Sequence, residues 1–360
     1  MYSSFVKFVQ ELYGTKEPIS LHSPRFEGNE KRYLLETIDS SFVSSVGEFV
    51  NRFEQSVAEY TGSNYAIATI NGTSALHIAL KLAGVEPGTE VITQSFTFIA
   101  TCNAIRYCNA IPIFVDVDPK TLGLSHQSLQ TFLESHAEIR DDGNCWNKTT
   151  NRRISVCLPM HSFGFPAELD HLNKLCSQYN IVLVEDAAES LGSFYKDQHT
   201  GTIGKIAIIS FNGNKITTTG GGGIILTSDS EIARRAKHIT TTAKIPHQWN
   251  FVHDDVGYNY RLPNLNAALG LAQMESLPKY LKQKRTIAEQ YQQWGKDNGV
   301  QFLKEPKNTQ SNYWLNALLT ESKEERDQWL SKTNEMGVMT RPAWTLMNKL
   351  SMYKDSQHGN

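Results

Sequence analysis

The chain has 360 residues, 40% of them hydrophobic and 20% charged, enough to bury a large core and to divide into two domains. Its 35 basic and 37 acidic residues give a formal net charge of -2, without the basic footprint that nucleic acid or an anionic membrane would need. Five cysteines without a CxxC pair argue against a disulfide framework and against zinc, and no stretch approaches the roughly 20 apolar residues of a membrane span, so a cytoplasmic protein without a metal centre is expected.

The first 50 residues look like an arm plus one helix. From Tyr65 onward, short apolar runs alternate with amphipathic stretches, at 66–68, 91–92, 111–115, 154–158, 181–184, 206–209 and 224–226. Runs this short, β-branched and not alternating, are strands buried on both faces. They predict an α/β fold with a mainly parallel seven-stranded sheet flanked by helices. The polar stretch 136–153 is expected as an excursion between regular elements. After about Pro246 the pattern shifts to helices at 264–274 and 278–294, a strand-like 312–319 and a helix near Glu324. The division expected is a large α/β domain with its arm, 1–245, and a small α+β domain, 246–360.

Three segments carry candidate chemistry. In Asn71-Gly72-Thr73-Ser74-Ala75-Leu76 a strand, a glycine turn and a helix start leave N–H groups and hydroxyls that suit a phosphate; taken alone, Thr73 or Ser74 could equally be a helix cap. In Glu185-Asp186-Ala187-Ala188-Glu189 two acids end a buried strand, the edge at which open α/β sheets bind ligands. An acid there can hold a ligand nitrogen protonated, or can simply cap the next helix. Lys215 follows Ser210-Phe211-Asn212-Gly213-Asn214 and precedes three threonines and the glycines 220–223. No acid is near it in sequence, so it is either a confined nucleophilic amine or a surface lysine before a flexible turn. His161 follows a strand and either faces a ligand or is structural. No GxxxxGK[ST], no GxGxxG after a strand and no GxSxG is present, which disfavours those nucleotide sites and a serine triad.

These segments, with Thr97-Phe98-Ile99-Ala100-Thr101 and Gly257-Tyr258-Asn259-Tyr260-Arg261, resemble in content and order the DegT/DnrJ/StrS family of sugar aminotransferases, which are fold-type I enzymes of pyridoxal 5'-phosphate. The resemblance runs from about Ile19 to Tyr353. It implies that Lys215 forms a Schiff base with the cofactor, that Asp186 pairs with the pyridine nitrogen, and that Phe98 stacks on the ring. Gly72, Thr73 and Ser210 would hold the phosphate, and Asn259 would reach it from the neighbouring subunit of a homodimer. Glu189 stands where many relatives carry Gln or His, near the cofactor's phenolic oxygen, and its role is open. Glycine also replaces the usual Glu among residues 220–223. Relatives usually continue past Met352 through another helix, so a shortened C-terminus is expected.

The segment from Tyr13 to His22, with Pro24-Arg25-Phe26 and Phe42-Val43-Ser44-Ser45-Val46-Gly47, looks like a subgroup acting on UDP-linked 4-keto-6-deoxy N-acetyl sugars. The activity implied is transfer of the amine of L-glutamate to such a keto sugar, giving a 4-amino sugar for bacterial surface glycans. Arg341, in Arg341-Pro342-Ala343-Trp344, would border the sugar or the nucleotide. The alternatives are a dehydratase of the same family, in which histidine typically replaces the lysine, and a non-catalytic regulator that binds a sugar nucleotide or the cofactor.

Overall fold

The computed structural model describes residues 1–359. All seven expected runs are strands: β1 (Tyr65–Thr69), β2 (Glu90–Gln94), β3 (Ile111–Val115), β4 (Arg152–Leu158), β5 (Val182–Asp186), β6 (Ile206–Ser210) and β7 (Gly223–Thr227). Their order across the sheet is β1-β7-β6-β5-β4-β2-β3. β7 runs antiparallel to both neighbours, and the other pairings are parallel.

The helices are α1 (Tyr2–Tyr13), α2 (Glu30–Asp39), α3 (Glu48–Thr61), α4 (Gly72–Leu82), α5 (Ile99–Tyr107), α6 (His126–His136), α7 (Leu169–Gln178), α8 (Ser230–Thr240), α9 (Asn264–Asn298) and α10 (Lys323–Glu335). Because successive side chains of a strand alternate between faces, each strand serves two cores. Ala66, Ala68, Ala207, Ile209, Ile224 and Leu226 pack with α3 and α9. Ile67, Ile206, Ile208 and Ile225 pack with α4, α5 and α8. Both faces are therefore dry, which is why the runs carry apolar residues continuously. Among the described residues no helix is long and apolar enough to cross a membrane.

Four details differ from the sequence expectation. Two helices, α1 and α2, precede residue 48, and Phe5, Val6 and Val9 of α1 bury themselves against Phe302, Trp329 and Val338, near the other end of the chain. The excursion at 136–153 contains a hairpin, Ala137–Ile139 with Cys145–Asn147, which extends the sheet along β4. Its polar content is deceptive because Asn147 is buried and bonds to Glu90 Oε2 at 2.8 Å. The helices expected at 264–274 and 278–294 are one helix, α9, with Pro278 inside it. Proline forfeits one helical hydrogen bond, and the buried flanks Met274, Leu277 and Tyr280 hold the helix together across the gap. Of the strand-like 312–319 only Leu318–Leu319 is a strand, paired with Gln301–Phe302.

Candidate active site

Since β1, β2, β5 and β6 are mutually aligned, Asn71, Phe98, Asp186 and Ser210 all emerge from the same carboxyl edge of the sheet. β1 turns into α4 with Asn71 as the cap: its side chain accepts the Ser74 N–H at 2.8 Å. Thr73 and Ser74 are thereby relieved of capping, and the helix start keeps its positive end and free N–H groups. Gly72 lies against Ser210; a Cβ at Gly72 would meet the Ser210 Cβ at 3.0 Å. The glycine lets the α4 start and the Ser210 hydroxyl lie side by side.

Asp186 ends β5 and is buried. Its Oδ2 accepts from the Thr101 hydroxyl at 2.8 Å and its Oδ1 from the Ala188 N–H at 3.2 Å. Burial raises the carboxyl above the usual carboxylate range, with the Thr101 and Ala188 bonds pulling the other way. A carboxylate so placed favours a cation beside it. One turn on, Glu189 is buried too, with Oε2 accepting the Phe163 N–H at 2.8 Å and Oε1 accepting from Lys215 Nζ at 3.1 Å. Burial raises its carboxyl as well, opposed by Lys215. Lys215 Nζ also sits 4.2 Å from the centre of the Trp314 ring. Of the two alternatives for this lysine, the structure has the confined amine.

The Glu189 position is over-determined. Phe163 holds φ 56°, a left-handed backbone that aims its N–H at the carboxylate. The next residue, Gly164, has φ +89°, and a Cβ there would lie 1.9 Å from Asn312 Oδ1. Asn312 in turn donates to the Glu189 carbonyl at 2.8 Å. Sequence reasoning assigned no role to Asn312, Trp314 or Thr101. Thr101 lies in the motif 97–101, whereas Asn312 and Trp314 are hidden in a run that looks like a strand.

Other expected residues sit apart. His161 is fully buried; its Nδ1 accepts the Ala167 N–H at 3.1 Å, so Nε2 carries the hydrogen and donates to Glu185 Oε2 at 3.0 Å. With both nitrogens committed the ring offers nothing to a substrate, and His161 touches the site only through its own N–H, which donates to the Asp186 carbonyl at 3.1 Å. Phe98 is half exposed at the start of α5, with Trp344 at 6.2 Å. Arg341 is exposed, and among the described residues its guanidinium bonds only to the Thr340 carbonyl, at 3.4 Å. Asn259 is exposed on a segment bridged to Thr241.

Residues 24–360 match the model of the DegT/DnrJ/EryC1/StrS aminotransferase family. The GDP-perosamine synthase of Escherichia coli O157:H7 is 35% identical over 94% of this chain and 87% of its own length. The enzyme of the same name from Caulobacter vibrioides is 34% identical over 93% of this chain and 86% of its own. Among solved structures, the aminotransferase TlmJ of Streptoalloteichus hindustanus superposes with a TM-score of 0.84 at 26% identity, over 95% of this chain and 89% of that one. The buried acid, the confined lysine and the glycine start of α4 beside Ser210 are thus found in a chain that belongs to the DegT/DnrJ/EryC1/StrS aminotransferase family, and it is a sugar aminotransferase dependent on pyridoxal phosphate.

Proposed function

We propose that this enzyme moves the amino group of L-glutamate to a nucleotide-linked 4-keto-6-deoxy sugar, with Lys215 as the covalent and proton-carrying residue. The observation that carries this is the Lys215 amine held between the Glu189 carboxylate and the Trp314 ring, on the strand edge that Asp186 also occupies.

The residues fit the cofactor. The α4 start at Gly72 and Thr73, with the Ser210 hydroxyl beside Gly72, suits its phosphate, and buried Asp186 suits the protonated pyridine nitrogen. Phe98 is free to stack on the ring. Bound there, the cofactor supplies an electron sink for the charge left when a proton leaves the substrate carbon. Lys215, tethered at that point, would take up this proton and hold it for return. Glu189 holds the lysine amine in place and, when protonated, can donate to the phenolic oxygen. Arg341 is assigned to an anionic part of the substrate, for which its exposed and unpaired guanidinium is suited.

The active form proposed is a homodimer, with Asn259 reaching the phosphate in its partner's site. Support comes from Trp249, Phe251 and Val256, which lie on the same segment as Asn259 and are about three-quarters exposed at 75%, 80% and 75%. Such apolar exposure beside a site marks a protein contact. For the nucleotide we favour UDP, on the resemblance of residues 13–47; the relatives named GDP-perosamine synthase make GDP the rival. The test is to incubate the enzyme with glutamate and a panel of UDP-, GDP- and dTDP-linked keto sugars and to identify the product by mass and NMR. Cofactor unchanged by glutamate, with no sugar aminated, would reject the proposal.

A further inference from the structure

Lys215 sits on turns in the connection from β6 to β7, residues 211–222. The ends of this connection close on each other: the Phe211 N–H donates to the Gly222 carbonyl at 2.8 Å and the Thr219 N–H to the Phe211 carbonyl at 3.0 Å. Its tip is held from outside. Among the described residues, the hydrogen bond that reaches the backbone of 213–217 from beyond the connection comes from Trp314, whose indole N–H donates to the Asn214 carbonyl at 2.7 Å. The same indole places its ring 4.2 Å from Lys215 Nζ. One side chain thus holds the lysine both at the peptide that precedes it and at the amine that ends it.

Trp314 is itself fixed. It is buried and shares a core with Phe211 and Ile216. Its backbone N–H donates to Asn312 Oδ1 at 2.9 Å, and its carbonyl accepts from Lys284 Nζ at 3.0 Å. Asn312 also donates to the Glu189 and Leu191 carbonyls, at 2.8 and 3.0 Å. The carboxylate and the ring that flank Lys215 Nζ therefore hang from one amide side chain.

The consequence concerns the amine while it is free of the cofactor. A transaminating lysine leaves the cofactor and returns to it in every cycle. On return the Nζ lone pair attacks the cofactor's aldehyde carbon, and the aldehyde oxygen leaves as water with both amine hydrogens. An ammonium first gives up its extra proton, for which Glu189 Oε1 lies 3.1 Å away. The rate of this condensation depends on how often the flexible lysine stem presents its amine at the attacking distance. An aromatic face attracts an ammonium, as does a carboxylate, and together they keep the free amine in one place without a covalent bond. We infer that Trp314 is a positioning residue for Lys215: its indole N–H fixes the turn and its ring holds the released amine, so that the bond to the cofactor re-forms quickly. The inference rests on the assignment of Lys215 proposed above.

The test uses the enzyme and its Trp314→Leu and Trp314→Phe variants, each stripped of cofactor and reconstituted. Condensation with pyridoxal phosphate is followed by absorbance after rapid mixing. Affinity for pyridoxamine phosphate, which docks but has no aldehyde, is measured by calorimetry. Trp314→Leu should slow condensation by about tenfold or more and leave the affinity for pyridoxamine phosphate within about twofold. Trp314→Phe, which keeps a ring without the N–H, should be intermediate. A wild-type rate in Trp314→Leu would overturn the inference, and so would a loss of pyridoxamine phosphate affinity that matches the loss of rate, the mark of a merely structural role. Should Trp314→Leu not fold, Trp314→Phe carries the test: slower condensation at unchanged pyridoxamine phosphate affinity supports the inference, and an unchanged rate overturns it. If borohydride reduction puts the pyridoxyl group on Lys215 while condensation is unaffected, only this inference falls. An adduct on another lysine removes the assignment of Lys215 itself.

Discussion

Lys215 Nζ stands 3.1 Å from Glu189 Oε1, and the other oxygen of that carboxylate is pinned by the Phe163 N–H at 2.8 Å. The amine therefore has a fixed proton acceptor that belongs to the protein and not to solvent. Borohydride reduction of the purified enzyme should attach the pyridoxyl group to Lys215, as read by peptide mapping; an adduct on another lysine would refute the assignment. Lys215→Ala should lower transamination by about 10²–10⁴-fold, the usual contribution of a positioned proton carrier.

Asp186→Asn separates function from stability. A carboxyl raised by burial stabilises the fold below its unfolded pKa, and that contribution is lost as pH rises through the higher folded value. Above that folded value the ionised group is a burden on the cofactor-free protein, so there the variant should melt at the same temperature or about 2 °C higher. This gain should shrink as pH falls through the folded value and be gone below the unfolded carboxyl pKa of about 3.9. The glutamate half-reaction, followed by absorbance, should fall by about 10²–10³-fold. A variant with wild-type half-reaction rates would reduce Asp186 to a helix cap.

His161→Ala tests whether that ring contacts substrate. Glu185 is buried, which raises its carboxyl, but the His161 bond and the N–H groups of Gly201 and Gly204 outweigh this and hold it below the usual range. Its contribution is present above the unfolded carboxyl pKa and is lost as pH falls through the folded value. Losing His161 should cost about 3 kcal/mol in urea unfolding at neutral pH and leave the KM for the sugar within about twofold. A rise in KM without loss of stability would show a substrate contact instead.

Asn259→Asp and Lys215→Ala should each be inactive, the first because a carboxylate repels the cofactor phosphate. If Asn259 serves the neighbouring subunit, a mixed dimer has one intact site and one doubly altered site. Equal mixing would restore about a quarter of the sites under two-fold symmetry. The check is to dissociate and remix the variants, confirm exchange with two tags and assay the amino sugar. Confirmed exchange without recovered activity rejects the shared site.

The sequence by itself determined the sheet, the motifs at its strand ends and the family. The strands are legible because each is dry on both faces, so their apolar runs owe nothing to any one partner. The motifs around Gly72, Asp186 and Lys215 are legible because each is local, a few residues at a strand end. Tertiary structure decided what depends on distant segments. It made one helix of two by packing both sides of Pro278, and it brought Asn312 and Trp314 from some hundred residues away to brace Glu189 and Lys215. His161 passed from candidate ligand to buried support because Ala167 and Glu185 claim its two nitrogens. Spacing along a chain records which groups can meet locally, whereas the polar partners of a buried ring or carboxylate are settled only when the core closes around them.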